Sequence, residues 1–284
     1  MRIHGMFVLL ASVVAFSQFT FAQEEVAPGV LKVGFIENPV ITESSGIIPS
    51  RKRRDTFWTH NDGGLDVVYA ISREGAPLGE WKIKDVDLDN IEDIATGPGG
   101  LYVADIGNNT GERNEVRVVR IPEPNPIRSG EVRPRRIWTL TYPDDAFDAE
   151  SFFILKSRGY ILSRELSNGE ARLYRFPLNK RGATFELEGL CKFNVDDEPR
   201  GADVTADGRR VAVITSSGAY LFTFDKTGFP IDGIVEPTLF VPFSDNSMEG
   251  CTFTTEGLLV SSEGRNIYLF TDAAFQLPSK GRRR

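Results

Sequence analysis

The feature that most limits the fold of this chain is a short motif that returns about every 50 residues. "TESSGI" at Glu43, "NIEDIA" at Glu92, "DAESFF" at Glu150, "RGADVT" around Ala202 and "SMEGCT" at Glu249 each open a run with strand character. The intervals are 49, 58, 52 and 47 residues, and four of the five segments carry Glu at the same place. That period matches one four-stranded blade of a β-propeller, which cannot bury its faces without its neighbours.

Strand signals fill the intervals, and helix signals are nearly absent. "SSGII", "FWTHND", "VVYAIS" and "GEWKIK" supply a first blade; "EDIAT", "LYVADIG", "VRVVRI" and "RIWTLTY" a second. "ESFFIL", "YILSRE", "RLYRFP" and "FELEGLCKF" supply a third; "ADVTA", "RVAVITS", "YLFTF" and "TLFVPF" a fourth. The fifth has only "GCTFT", "LLVSSE" and "IYLFT", and the early "VLKVGFI", Val30 to Ile36, is free to complete it. These runs of alternating or aromatic residues between Gly, Pro, Asn and Asp read as strands. The expectation is an all-β propeller of five four-stranded blades, closed by an N-terminal strand in the last blade so that no sheet edge stays open. A sixth blade would require extra strands within the longer second repeat. An orthogonal sandwich gives no reason for the period.

Residues 1–22 differ from the rest. Arg2 is their only Lys or Arg, they hold no acid, and an apolar run is followed by Thr20, Phe21 and Ala22. This reads as a cleaved secretory signal ending at Ala22, too short and too interrupted for a membrane anchor. The division expected is a signal over 1–22, one propeller over 23–275 and a basic tail over 276–284. The location expected is periplasmic or extracellular. No later segment offers a membrane span. The chain carries 33 Lys plus Arg against 40 Asp plus Glu, a net charge of −7, and such a surface does not favour nucleic acid. We expect a monomer whose partner is a protein or a small molecule. Cys191 and Cys251 form no Cys-x-x-Cys motif, so they read either as buried free thiols or as a single disulfide.

Within a blade, the start of the innermost strand and the end of the second lie on one face. That face should gather Glu43 with Asp62, Glu92 with Asp105, Glu150 with Glu165, Asp203 with Ser216, and Glu249 with Glu263. The innermost acids Glu43, Glu92, Glu150, Asp203 and Glu249 are candidate ligands of an axial calcium ion, since an oxygen-rich set suits that metal. Asn61, Asp62, Asp105, Asn108, Glu165 and Glu263 are candidate binding residues around it. Clustered carboxylates need a cation, an arginine or raised pKa values. They could equally lock blade to blade, with Arg164, Arg200 and Arg265 as neutralising partners. "DVDLDNIED", Asp85 to Asp93, begins like a calcium loop but lacks the turn Gly and the closing Glu, and reads as a solvated turn.

Recognisable catalytic motifs are missing. There is no Gly-x-Ser-x-Gly elbow and no phosphate loop. His60, in "WTHNDGG", is the only histidine after residue 22, so any acid–base or triad chemistry based on histidine would have to use it. It stands as a candidate catalytic residue by position, with a turn or packing role as the alternative.

"ESSG", "WTHNDGG", "IEDIA", "LYVADIGNN", "ADVTADGRRVAV" and "SSEGRNIY" resemble exported bacterial propeller proteins of largely unassigned function. The resemblance spans Glu43 to Phe270. It departs at Ile91, where relatives often have Trp. More distantly, the layout is similar to gluconolactonase-like and phytase-like propellers, and that likeness implies an axial calcium. The expected function is a binding or interaction module. The alternative is a metal-dependent hydrolase of phosphoesters, lactones or sugars.

Overall fold

The computed structural model describes residues 23–276 apart from 64, 227 and 246. The expected export signal and nearly all of the basic tail lie outside the described residues. The chain forms five sheets, and their innermost strands touch one another in cyclic order around one axis. It is a five-bladed β-propeller.

Blade 1 consists of Ser44–Pro49, Thr56–Asn61, Val67–Ser72 and Pro77–Ile83, from the axis outward. Blade 2 consists of Ile91–Gly97, Gly100–Asp105, Glu115–Ile121 and Arg136–Thr141. Blade 3 uses Ser151–Leu155, Arg158–Leu162, Glu170–Pro177 and Glu188–Asn194. Blade 4 uses Gly201–Val204, Arg210–Thr215, Gly218–Thr223 and Leu239–Pro242. Blade 5 takes Met248–Phe253, Gly257–Ser262 and Asn266–Thr271 from the end of the chain, and Val30–Phe35 from its start. Val30–Phe35 pairs antiparallel with Asn266–Thr271, which is the expected closure.

Burial follows position in the blade. Inner strands such as Thr56–Asn61 and Gly257–Ser262 are buried along their whole length, because a blade lies against each face. The third strand Glu115–Ile121 still packs on both faces, Val116 and Val118 toward blade 3 and Val119 and Ile121 toward blade 1, whereas the outer strand Pro77–Ile83 is largely open to water. The apolar core is therefore divided into five wedges, one between each pair of blades. Trp138, Tyr102, Phe152 and Phe176 fill the wedge between blades 2 and 3. Phe193, Tyr220 and Phe222 fill the next. Ile36, Ile47, Phe57 and Leu259 join blade 5 to blade 1. Cys191 and Cys251 are free, buried thiols in separate wedges.

The sequence reading missed the treatment of the outer edges. Gly130–Val132, Thr184–Glu186 and Ile234–Val235 each lie in the connection before a blade's fourth strand. Each pairs in parallel with the fourth strand of the preceding blade, on blades 1, 2 and 3 respectively. Glu24–Ala27 caps blade 5, and the short 3-10 turn Ala274–Gln276 packs beside the outer strand of blade 4. Every outer edge is thereby covered. Part of the long second repeat is this edge strand rather than a sixth blade. Among the described residues, no helix is long and apolar enough to cross a membrane.

Ile36 ends the closing segment; it is fully buried, and its N–H donates to the Arg265 carbonyl at 2.7 Å. We expect Ile36→Ala to lower stability by about 2–5 kcal/mol through the cavity it leaves, read as a fall in the urea midpoint. An unchanged midpoint would show that blade 5 does not depend on this closure.

Candidate functional site

Each blade sends one side chain to the same mouth of the axis: Ser45, Glu92, Glu150, Arg200 and Glu249. In blades 1, 2 and 5 the pairing of the innermost strand slips by a bulge, between Ser44 and Ile47, Ile91 and Asp93, and Met248 and Gly250. Ser45, Glu92 and Glu249 sit within those bulges, which turn a side chain out of the sheet and toward the axis. Asp62, Asn109, Arg164 and Glu263 complete a polar cavity of about 200 Å³.

This corrects the expected axial set at two places. Glu43 lies before its strand and is exposed, and its backbone is engaged, the N–H donating to Asn61 Oδ1 at 3.1 Å and the carbonyl accepting the Asp62 N–H at 2.9 Å. Ser45 takes the ring position and donates to the Glu92 carbonyl at 2.5 Å. In blade 4 the ring position belongs to Arg200. Asp203, three residues further on, accepts from Thr252 Oγ1 at 2.9 Å and from the Phe253 N–H at 2.8 Å. It therefore locks blade 4 to blade 5. Asp93 does the same between blades 2 and 3, accepting the Phe152 N–H at 2.8 Å.

Several expected binding residues are structural. Asp105 is fully buried and paired with Arg113 at 2.9 Å and Arg117 at 3.0 Å. Asn61 accepts the N–H groups of Thr42 and Glu43 and donates to the Val40 carbonyl. Asn108 donates its N–H to Asp148 and fixes the Arg113 loop. Glu165 accepts the Asp148 N–H on both oxygens at 2.8 Å, and it lines a neighbouring hollow with Phe147, Arg172 and Tyr174. Only Asp62 and Glu263 of that group reach the axial cavity. The "DVDLDNIED" turn is braced by arginines: Asp85 pairs with Arg133, and the Asp87 carbonyl accepts from Arg117.

His60 is not at the rim. It is 0% exposed; its Nε2 accepts the Gly46 N–H at 3.2 Å, and its Nδ1 lies 3.0 Å from the Asn61 carbonyl. Those contacts place the proton on Nδ1, and burial lowers the ring's pKa to about 4. His60 props the bulge that presents Ser45 and has no access to a substrate.

The electrostatics of the mouth are uneven. Arg164 contacts Glu150 directly, with Asp148 at 3.4 Å and Glu198 at 2.9 Å. Arg200 contacts Glu249 directly. Both arginines stay charged, and their carboxylate neighbours raise their pKa values. Burial still outweighs that pull at the acids and raises Glu150 to about 7 and Glu249 to about 8. Glu92 has no guanidinium against it. Burial, then Asp62, Glu150, Asp148 and Glu249, push it up to about 10. Burial and the charges of Glu43 and Glu263 also raise Asp62. Three buried oxygens in this lining have no hydrogen-bond partner: Asp62 Oδ1, Glu92 Oε1 and Glu150 Oε2. The backbone of Gly107 approaches so closely that a Cβ there would lie 2.1 Å from Glu92 Oε1.

Calcium needs six to eight oxygens at 2.3–2.6 Å. Among the described residues, no three Asp, Glu, His or Cys side chains are placed to share an ion. Two of the three ring acids are already held by guanidinium groups. The residues present do not fit an axial calcium, and a hydrolytic step through one has no site here.

No protein-family model matches the sequence, and no curated protein matches it. Among solved structures, the chain is similar to part of the mitotic checkpoint complex, at 9% identity and a TM-score of 0.43, covering 77% of this chain and 62% of that one. It is also similar to an auxiliary nutrient binding protein from Bacteroides thetaiotaomicron, at 8% identity and a TM-score of 0.44, covering 80% and 56%. The chain thus spans under two thirds of either protein, and neither likeness carries a function across.

Glu92, Glu150 and Glu249 bind protons more tightly folded than unfolded. Their stabilising contribution is full below the ordinary value of 4.5 and is lost as pH rises through about 10, 7 and 8 respectively. Stability should therefore fall from pH 5 to pH 9. Glu92→Gln, which cannot ionise, should flatten that fall and raise stability at pH 9 by more than about 1.4 kcal/mol, the equivalent of one pKa unit. Urea unfolding at pH 5, 7 and 9 reads the slopes, and parallel slopes would count against a buried proton on Glu92.

Proposed function

We propose that this protein is an exported β-propeller that works as a monomeric binding module and takes a small polar ligand at the acid-lined mouth of its axis. One observation carries the reading. Three of the side chains that line a cavity built from all five blades, Asp62, Glu92 and Glu150, each carry a buried oxygen without a partner. Leaving a buried polar group unpaired costs about 1–3 kcal/mol, and groups without partners in a native fold call for an explanation. A ligand that completes their hydrogen bonds supplies one. The small cavity favours a small molecule over a protein chain. Export is supported by the apolar leader and the A-x-A-like end at Ala22.

The test uses the mature chain from Gln23. A screen of small polar solutes by thermal unfolding should give ligands that raise the midpoint. At 100 times the Kd the gain is about 2.7 kcal/mol, or roughly 5–10 °C for a domain of this size. Asn109 lies on an exposed loop at the cavity rim. Asn109→Trp should block the mouth and remove the shift while leaving the unliganded midpoint in place. Ligands that bind equally well to the blocked variant would move the site elsewhere. Sequencing of the secreted form should begin at Gln23; retention of residues 1–22 would count against export by a cleaved signal.

A further inference from the structure

We infer that the ligand of this mouth is an organic cation bearing N–H donors, a primary ammonium or a guanidinium group, received by Asp62, Glu92 and Glu150. This rests on the mouth being the binding site. The three partnerless oxygens belong to the consecutive blades 1, 2 and 3, on one side of the ring. Glu92 is 3% exposed and Glu150 is 7% exposed, and both line the cavity. An ammonium offers three donors and no acceptor; a guanidinium offers five donors and no acceptor. Either answers these carboxyl groups in their ionised form, in which they only accept.

The charges agree. Five carboxyl groups, Asp62, Glu92, Glu150, Glu249 and Glu263, line the cavity against two arginines. Arg164 is engaged by three acids and Arg200 by one. An anionic ligand would have to break those pairs and would meet the remaining acids. A bare divalent ion finds no three ligands together. A guanidinium spreads its donors over three nitrogens and reaches separated acceptors, an ammonium takes fewer of them at once, and the cavity of about 200 Å³ exceeds the ~30 Å³ that one water occupies in the liquid.

Binding should be linked to protons. Glu92 faces Asp62, Glu150, Asp148 and Glu249. Glu150 faces Arg164, Arg200, Asp148 and Asp62, and Glu249 faces Glu150, Arg200 and Glu263. An arriving cation favours the ionised acids, so protons leave as it binds and affinity rises with pH.

The experiment is titration calorimetry of the mature chain with n-butylammonium and guanidinium. Tetramethylammonium, calcium and glucose serve as comparison probes. We expect both N–H cations to bind. Tetramethylammonium, which has the charge but no donor, should bind at least tenfold more weakly. Affinity for n-butylammonium should rise at least threefold from pH 6 to pH 8, and the heat should vary with the buffer in the sense of proton release. Glu92→Gln and, independently, Asp62→Asn should each weaken binding about tenfold or more. Glu131→Gln, at an exposed outer edge, should leave it unchanged. Equal binding of tetramethylammonium, or full binding by both mouth variants, would overturn the assignment. Glucose binding that Asn109→Trp removes, with no ammonium binding, would overturn the cation and keep the mouth. If none of the probes binds and the solute screen yields no ligand sensitive to Asn109→Trp, both readings fall.

Discussion

Everything in this molecule depends on how closely five innermost strands can approach one axis. In blades 1, 4 and 5 the residue after the ring position is glycine. A Cβ on Gly46, Gly201 or Gly250 would lie 2.2–2.6 Å from atoms of a neighbouring blade, a separation no real side chain tolerates. The contact is therefore backbone against backbone. In blade 3 the small Ser151 stands at that place; in blade 2 Asp93 does, and it has become a lock that accepts the next blade's N–H. Asp203 repeats the device further along its strand. A channel this tight leaves room for one outward-turned side chain per blade at its mouth, and that is why the site is a ring of five.

The same tightness sets the electrostatics. Acids brought together at the mouth are both desolvated and near each other, and each effect disfavours their charged forms. Two arginines relieve part of the load. Glu150 and Glu249 consequently titrate across the neutral range, whereas Glu92 holds its proton beyond it. A fold selected only for stability would replace such a group by an apolar one. Retaining it is the kind of local conflict that marks a functional site.

The architecture was legible in the sequence because two periods agree: alternation within strands and about 50 residues between blades. The site was legible only in part, for local reasons. Glu92, Glu150 and Glu249 stand at equivalent places and could be found by aligning the repeats. The same alignment chose Glu43 over Ser45, because a bulge shifts the ring residue and the segment "ESS" gives no sign of it. It chose Asp203 over Arg200 because an acid was sought where the fold uses a base. Asp105 ends its strand and Glu165 lies just past one, but Arg117 on the neighbouring strand and Arg113 and the Asp148 N–H from loops hold them in structural pairs. His60 drew notice by being rare, and rarity says nothing about whether a ring nitrogen is needed to hold Gly46. The parallel edge strands are two or three residues long, below the length at which alternation can be read.

Departures from the repeat, rather than the repeat itself, give the mouth its chemistry. Five identical glutamates on a fivefold ring would repel one another equally and select no direction. Ser45 removes one charge and Arg200 reverses another. Arg164, entering just past the second strand of blade 3, then holds one oxygen of Glu150 and leaves the other free. The partnerless oxygens are confined to blades 1 to 3, and the guanidinium groups come from blades 3 and 4. A ring built by repetition thereby acquires an acidic side and a compensated side. A ligand meeting it is oriented across the axis as well as drawn to it, which a symmetric ring of carboxylates could not do.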